Sequence, residues 1–223
     1  MCEEMQEARM NILSEMFDND EWSDLKVQTA TYTFNVNKSV VCLTCPFFKA
    51  ACTGDWKEAR AGIIELPESA ETVEQLLQWC YGVFDTDYFT GSAEKLRYYE
   101  LLVAADKYQL PSLKQEVEHW LDPLGPVSDY VEIALWLYQE ERRQVVGAQR
   151  TREIMEDIAA NMVEILNDDR WEKIQECPEL AKDLMRFVAQ ESSRVNKRRR
   201  LIDPKHLRKP AQATDNAENA SNG

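Results

Sequence analysis

The sequence predicts an α+β domain, a small three-stranded sheet capped by a cluster of helices. Two short runs alternate apolar and polar residues, Leu25 and Val27 within Ser23–Thr29 and then Tyr32, Phe34 and Val36. That period of two marks a pair of half-buried strands. Ile63-Ile64-Glu65-Leu66 is a third, β-branched run, closed by Pro67. Around these lie apolar stripes at helical spacing. The clearest is in Leu96–Lys114, where Leu101, Leu102, Ala105 and Tyr108 fall on one helix face.

In chain order, residues 4–17 are expected to form a helix with Met5, Ala8, Ile12, Leu13 and Met16 on one side. A lone helix of this length is marginal in water, so it packs on its own domain or on a partner. The first two strands are expected to pair as a hairpin, although Thr29–Thr31 lacks the Gly, Asn or Asp that a tight turn favours. Lys38–Cys45 and Pro46–Thr53 read as short helices broken at Pro46, with Val40, Val41, Leu43, Phe47 and Phe48 to bury both. Ser69 is the expected N-cap of the next helix, with Glu71 well placed in its first turn. That helix carries Val73, Leu76, Leu77, Cys80, Tyr81 and Phe84, and a polar loop follows over residues 85–94. A residue before proline disfavours the α region, so the Leu96 helix is expected to stop near Leu110 and Pro111 to open its successor. Leu113, Val117, Trp120 and Leu121 continue the stripe there, giving a tight αα corner.

Asp122-Pro123 and Gly125-Pro126 mark a break. Three or four more amphipathic helices are expected after it. Tyr130, Ala134, Leu135 and Tyr138 stripe the first, and Ile154, Ile158, Met162 and Ile165 the second. Asp169-x-x-Glu172 suits a capping-box start for the third, and Pro178 precedes a fourth striped by Leu180, Leu184, Met185 and Val188. These helices are expected to lean on the preceding domain. From about Ser192 the chain is basic, then Ala/Asn-rich, and is expected to be disordered.

Several of these segments share features with one family. A-A-D-K-Y-x-L-P-x-L-K, Ala104 to Lys114, resembles the helical end of the BTB/POZ domain. Phe34-Asn35-Val36-Asn37-Lys38 resembles the family's F-x-V-H-K, with Asn37 where histidine is usual. V-V-C-L-T-C-P-F-F-K-A, Val40 to Ala50, is similar to its V-L-x-x-x-S-P-x-F, with Cys45 at the serine. The resemblance reaches back to Trp22. It implies a BTB/POZ fold over residues 18–121, preceded by the helix of residues 1–17. A helical extension over 127–191 and a tail over 192–223 would follow, a layout most like the single-BTB proteins numerous in fungi.

The resemblance also implies protein binding. BTB domains commonly form homodimers; some dock a cullin, the scaffold of a multisubunit ubiquitin ligase, and others recruit transcriptional corepressors. In dimerising members an N-terminal helix lies across the two subunits, which makes Met5, Ala8, Ile12 and Met16 candidates for a dimer interface. Asp24 and Lys38 align with the family's charged pair near that interface; equally, Asp24 starts a strand and Lys38 caps a helix. In A-C-T-G-D-W-K-E, Trp56 and Glu58 occupy the hydrophobic-x-acidic motif of cullin-docking members. The alternative has Trp56 folding back onto the adjacent helix to fill the core. The expected role is a homodimeric interaction module, a substrate adaptor for a cullin-based ligase, or else a nuclear scaffold in transcriptional regulation.

Composition sets the outer bounds. With 223 residues, 44% hydrophobic and 30% charged, the chain has room for a sizeable core. It holds no run of about 18 apolar residues, so no transmembrane helix is expected. MCEEMQEARM is acidic and lacks the apolar centre of a secretory signal, so an intracellular protein is expected, in nucleus or cytoplasm. Its six cysteines are then reduced. Cys42-Leu-Thr-Cys45 has C-x-x-C spacing, but a zinc site needs a second ligand pair, and the only histidines are His119 and His206. These cysteines read as small buried residues, and no metal or other cofactor is expected.

The net charge of −14 hides an asymmetry. Residues 194–210 carry a net +7 and residues 211–223 a net −2, which leaves −19 on residues 1–193. A body so acidic repels phosphate backbones, so no direct nucleic-acid partner is expected. Lys197, Arg198, Arg199 and Arg200 form the basic pattern of a nuclear import signal; the alternatives are a solubilising tail or one that folds back at low salt. No Gly-rich phosphate loop, G-x-S-x-G elbow or H-E-x-x-H is present, and no enzyme is expected.

Overall fold

The computed structural model describes residues 2–54, 60–84, 95–121, 127–139 and 142–202, excepting the side chains of 2–6, 127–129 and 195–202. The chain divides into two compact units, residues 1–181 and 182–223.

In the first unit, β1 (Leu25–Gln28), β2 (Thr33–Val36) and β3 (Ile63–Glu65) make a sheet of order β2-β1-β3. β1 runs antiparallel to β2, with Val27 opposite Phe34, and parallel to β3, with Val27 opposite Ile64. The alternation turns Leu25, Val27, Phe34, Val36 and Ile64 into the core, while Lys26, Gln28 and Glu65 face out. The hairpin turn manages without glycine or asparagine. Buried Thr29 accepts the N–H of Tyr32 (3.0 Å) on Oγ1 and donates that hydroxyl to the Tyr32 carbonyl, and neither Ala30 nor Thr31 needs positive φ.

Helix α1 (Cys2–Met16) precedes the sheet. α2 (Lys38–Thr44) and α3 (Pro46–Thr53) meet at Cys45, held extended at φ −120° before the proline that opens α3. Leu43 corrects the expectation of burial: it is 87% exposed, because seven-residue α2 turns only Val41 fully inward. α4 (Ala70–Tyr81) starts at Ser69, whose side chain accepts the N–H of Thr72 (3.3 Å). It ends at Gly82, in the left-handed region at φ 69°, so Phe84 lies beyond the helix instead of continuing its stripe.

α5 (Lys95–Lys107) and α6 (Pro111–Trp120) form the αα corner. The Leu110 N–H donates to the Ala105 carbonyl (2.8 Å) and the Gln109 N–H to that of Asp106 (3.2 Å), the Schellman pattern. Gln109 takes the left-handed position at φ 60°, where glycine is usual. Leu101, Leu102, Ala105, Leu113 and Val117 are buried on the facing stripes, and Leu76 and Leu77 of α4 are buried in full.

After the corner come α7 (Val127–Tyr138), α8 (Arg142–Val146), α9 (Ala148–Ala160), α10 (Met162–Ile165) and α11 (Asp169–Gln175). α5 packs against α7 and α8, as expected of an extension that leans on the domain. The stripe of α7 is Tyr130, Val131, Ile133, Ala134 and Leu137; Leu135 and Tyr138 are only half-buried. The second expected helix is divided at Asn161, which ends α9. The cap of α11 is Asp168, one residue before the expected Asp169, and it accepts the Arg170 N–H (2.8 Å).

α12 (Pro178–Ile202) begins in the first unit and supplies the described residues of the second. Its helix passes Ser192, where order was expected to end, and reaches Ile202. Arg186 pairs with Asp183 (3.4 Å) and Arg194 with Glu191 along one flank. The basic cluster occupies the last turns, where the helix dipole favours cations. Residues 203–223 lie outside the described residues.

Candidate functional site

The N-terminal helix leaves some of its apolar side chains in solvent. On α1, Met10 is 43% and Ile12 57% exposed. Ala8 is exposed, Leu13 and Met16 are half-buried, and the Met5 side chain lies outside the described set. The anchor sits at the helix's end. Phe17 stacks on Phe34 (ring centroids 6.4 Å) and meets Tyr81 edge-on (5.4 Å). Asp18, turned at φ 52°, accepts the Asn35 N–H (2.8 Å) and the Tyr32 hydroxyl (2.7 Å). That hydrogen bond raises the Tyr32 pKa, because it requires the phenol to keep its proton. Two residues therefore fix where α1 leaves the sheet. Phe17 fell within the expected helix, but no local pattern marks Asp18 as its anchor.

Asn37, in the family's histidine position, is 6% exposed and holds three segments together. Its N–H donates to the Tyr81 hydroxyl (2.8 Å), which donates back to Asn37 Oδ1 (2.9 Å). Its Nδ2 donates to the Trp22 carbonyl. An amide suits this place, since it offers a donor and an acceptor without titrating. Asp24 and Lys38 do come together, through the main chain: Asp24 Oδ1 accepts the Lys38 N–H (2.7 Å). Asn37 makes no side-chain cap bond to α2, so Asp24 serves that helix start in its place.

Cys42 and Cys45 bond to different carbonyls. Cys42 Sγ donates to the Phe48 carbonyl (3.5 Å) and buried Cys45 Sγ to that of Tyr108 (3.4 Å). Burial raises the pKa of Cys45 and pushes Cys52 up to about 11 and Cys80 to about 12. Such thiols stay protonated near neutrality. Among the described residues no group of three His, Cys, Asp or Glu side chains is placed to hold a metal. No described helix is long and apolar enough to cross a membrane.

A cleft of about 290 Å³ lies between the start of α4, α5 and the α7–α8 junction. Its charges are already paired. Glu68 accepts from Lys107 (2.6 Å) and from the Tyr108 hydroxyl, and Glu100 from the Thr72 hydroxyl (3.2 Å). Arg142 lies over the Trp136 ring, 4.3 Å from its centroid, and donates to the Trp136 carbonyl.

Trp56 and Glu58 lie outside the described residues. Lys197, Arg198, Arg199 and Arg200 sit on the last turns of α12, in the second unit, with their side chains outside the described set. No curated protein matches the chain. Compared with known protein families, residues 13–123 match the BTB/POZ domain.

Proposed function

Because residues 13–123 are a BTB/POZ domain, a module through which proteins bind one another, we propose that this chain homodimerises through α1 and presents its other faces to partners. The exposed Ile12, which shares one face of α1 with Ala8 and Met16 on a helix fixed to its own domain at Phe17 and Asp18, carries this reading. A second copy would cover that apolar side, with Ala8, Met16, Asp24 and Lys38 near the contact. Sedimentation equilibrium at micromolar concentration is expected to give twice the 25.9 kDa chain mass, as an isologous pair requires. Deleting residues 1–15, which spares the Phe17 anchor, is expected to yield monomer without unfolding the domain. An intact protein that stays monomeric at high concentration overturns the dimer.

The leading use of the module is as a substrate adaptor for a cullin-based ubiquitin ligase. Its support is the spacing of Trp56 and Glu58 after α3. In this reading the substrate is held by the helices of residues 127–191 or binds the BTB/POZ part directly. Such a layout supports a place among the single-BTB proteins of fungi. Trp56→Ala is expected to weaken cullin binding by about 2 kcal/mol or more, as buried aromatic anchors do. Glu58→Ala is expected to cost less, as rim charges do. Both variants should melt with the parent; a melting loss for Trp56→Ala assigns that residue to the core. Absence of cullin binding by the intact protein ends the adaptor reading.

The basic run Lys197–Arg200 at the end of α12 favours a second reading, a nuclear scaffold for transcriptional co-regulators. Affinity purification separates the two, since cullin subunits and corepressor subunits would be recovered respectively.

A further inference from the structure

The two edges of the sheet differ. At the β2 edge, the Asn35 N–H is taken by Asp18, and α1 leaves from there. At the other edge, the Lys26 N–H donates to the Gly62 carbonyl (2.9 Å) and the Leu66 N–H to the Gln28 carbonyl (2.8 Å). In that parallel ladder residues 62, 64 and 66 turn their polar groups toward β1, so Ile63 and Glu65 turn theirs away. Among the described residues nothing pairs with the N–H and C=O of Ile63 and Glu65 on this side. Both residues are exposed. Edge strands are usually blunted by shortness, charge, proline or a bulge; β3 is three residues long, carries Glu65 and stops before Pro67, so its open edge has room only for a short, charge-matched segment.

We propose that β3 takes up a short, extended, basic segment of a partner protein as a fourth strand. The N–H and C=O groups of Ile63 and Glu65 supply its four main-chain hydrogen bonds. An apolar side chain of the segment covers Ile63, and a lysine or arginine faces Glu65. Charge selects the occupant: the edge carries Glu65 on a body of residues 1–193 whose net charge is −19, so a basic segment is attracted. A second copy fits poorly. Two β3 strands related by a two-fold axis would set Glu65 against Ile63 and bring two acidic bodies together. Gly62, at φ 66°, and Pro67 bound the open stretch, so only a short segment is held. This edge lies across the sheet from the α1 anchor, and its test is independent of the dimer.

The probe is acetyl-Thr-Lys-Thr-Val-Thr-amide, added to the isotope-labelled full chain and followed by residue-resolved amide exchange and NMR shifts. Protection and shifts are expected at the Ile63 and Glu65 amides, while Ile64, already in the ladder, changes little. The same peptide N-methylated at Lys and Val has lost its pairing donors and is expected not to bind. Glu65→Lys, an exposed change, is expected to shift the preference between the Lys peptide and its Glu counterpart by about fivefold toward the latter. Equal binding of the N-methylated peptide, or shifts confined elsewhere, overturns the proposal. So does protection of the same amides by rising protein concentration alone, which would give the edge to a second copy.

Discussion

Phe48→Ala is expected to lower the unfolding free energy by about 3–5 kcal/mol, because it removes a ring from a fully enclosed site and leaves a cavity there. Phe48 has no exposed surface. It sits in the first turn of α3, its ring edge-on to Phe47 at 5.5 Å, and its carbonyl holds the Cys42 thiol. Phe47 is the internal comparison. It is half-buried and packs edge-on against Tyr108 at 4.7 Å, so Phe47→Ala forfeits contacts at a site that water can refill. Urea unfolding of both variants checks the ordering, provided the slope of free energy on denaturant is unchanged. A smaller loss for Phe48→Ala than for Phe47→Ala would show that α3 does not anchor the core.

The sequence treats these two rings alike, and that marks where its legibility stops. Periodicity is a local signal, and it served wherever one face of an element is apolar and the other polar. The β1–β2 alternation, the Ser69 cap and the proline starts of α3 and α6 were all readable on those terms. It misled at V-E-I-A-L-W-L-Y in α7, which is apolar nearly all round. There Val131, Ile133 and Leu137 are buried in place of Leu135 and Tyr138. At Asp168-Asp169 either carboxylate could cap α11, and only the backbone of Asp168, extended at ψ −179°, decides between them. The candidate site divides in the same way. The stripe to which the exposed Ala8 and Ile12 belong was legible on α1, but its anchor was not. The Asp18–Asn35 hydrogen bond joins residues 17 apart and depends on a backbone turn at φ 52° that no glycine or asparagine announces. The open edge of β3 follows from register, which a short alternating run cannot set by itself.

Raising the pH above 9 is expected to destabilise the fold steeply, with Cys80 as a principal cause. Its thiol is 4% exposed, and burial lifts its pKa from 9.0 to about 12, against a smaller opposing effect of the neighbouring Thr44 hydroxyl. Burial likewise lifts Tyr99 from 10.0 to about 12. Below pH 9 both states of the chain hold the thiol proton, and Cys80 contributes its full share of stability. Between pH 9 and 12 the unfolded chain releases that proton while the folded chain keeps it, so each added pH unit favours unfolding. The loss attributable to Cys80 is about 1.4 kcal/mol per pH unit, reaching on the order of 4 kcal/mol by pH 12. Cys80→Ala separates this linkage from ordinary packing. The variant is expected to be somewhat less stable than the parent at pH 7, because a buried sulfur is gone. Its stability should nevertheless fall more gently from pH 9 to 11, with Cys52 and, above pH 10, Tyr99 and Tyr108 supplying the decline that remains. Denaturant unfolding at pH 7, 9, 10 and 11 reads both quantities. Parallel pH profiles for parent and variant would mean that the Cys80 thiolate is solvated in the folded chain, and the closed packing of α4 against α2 would have to be abandoned.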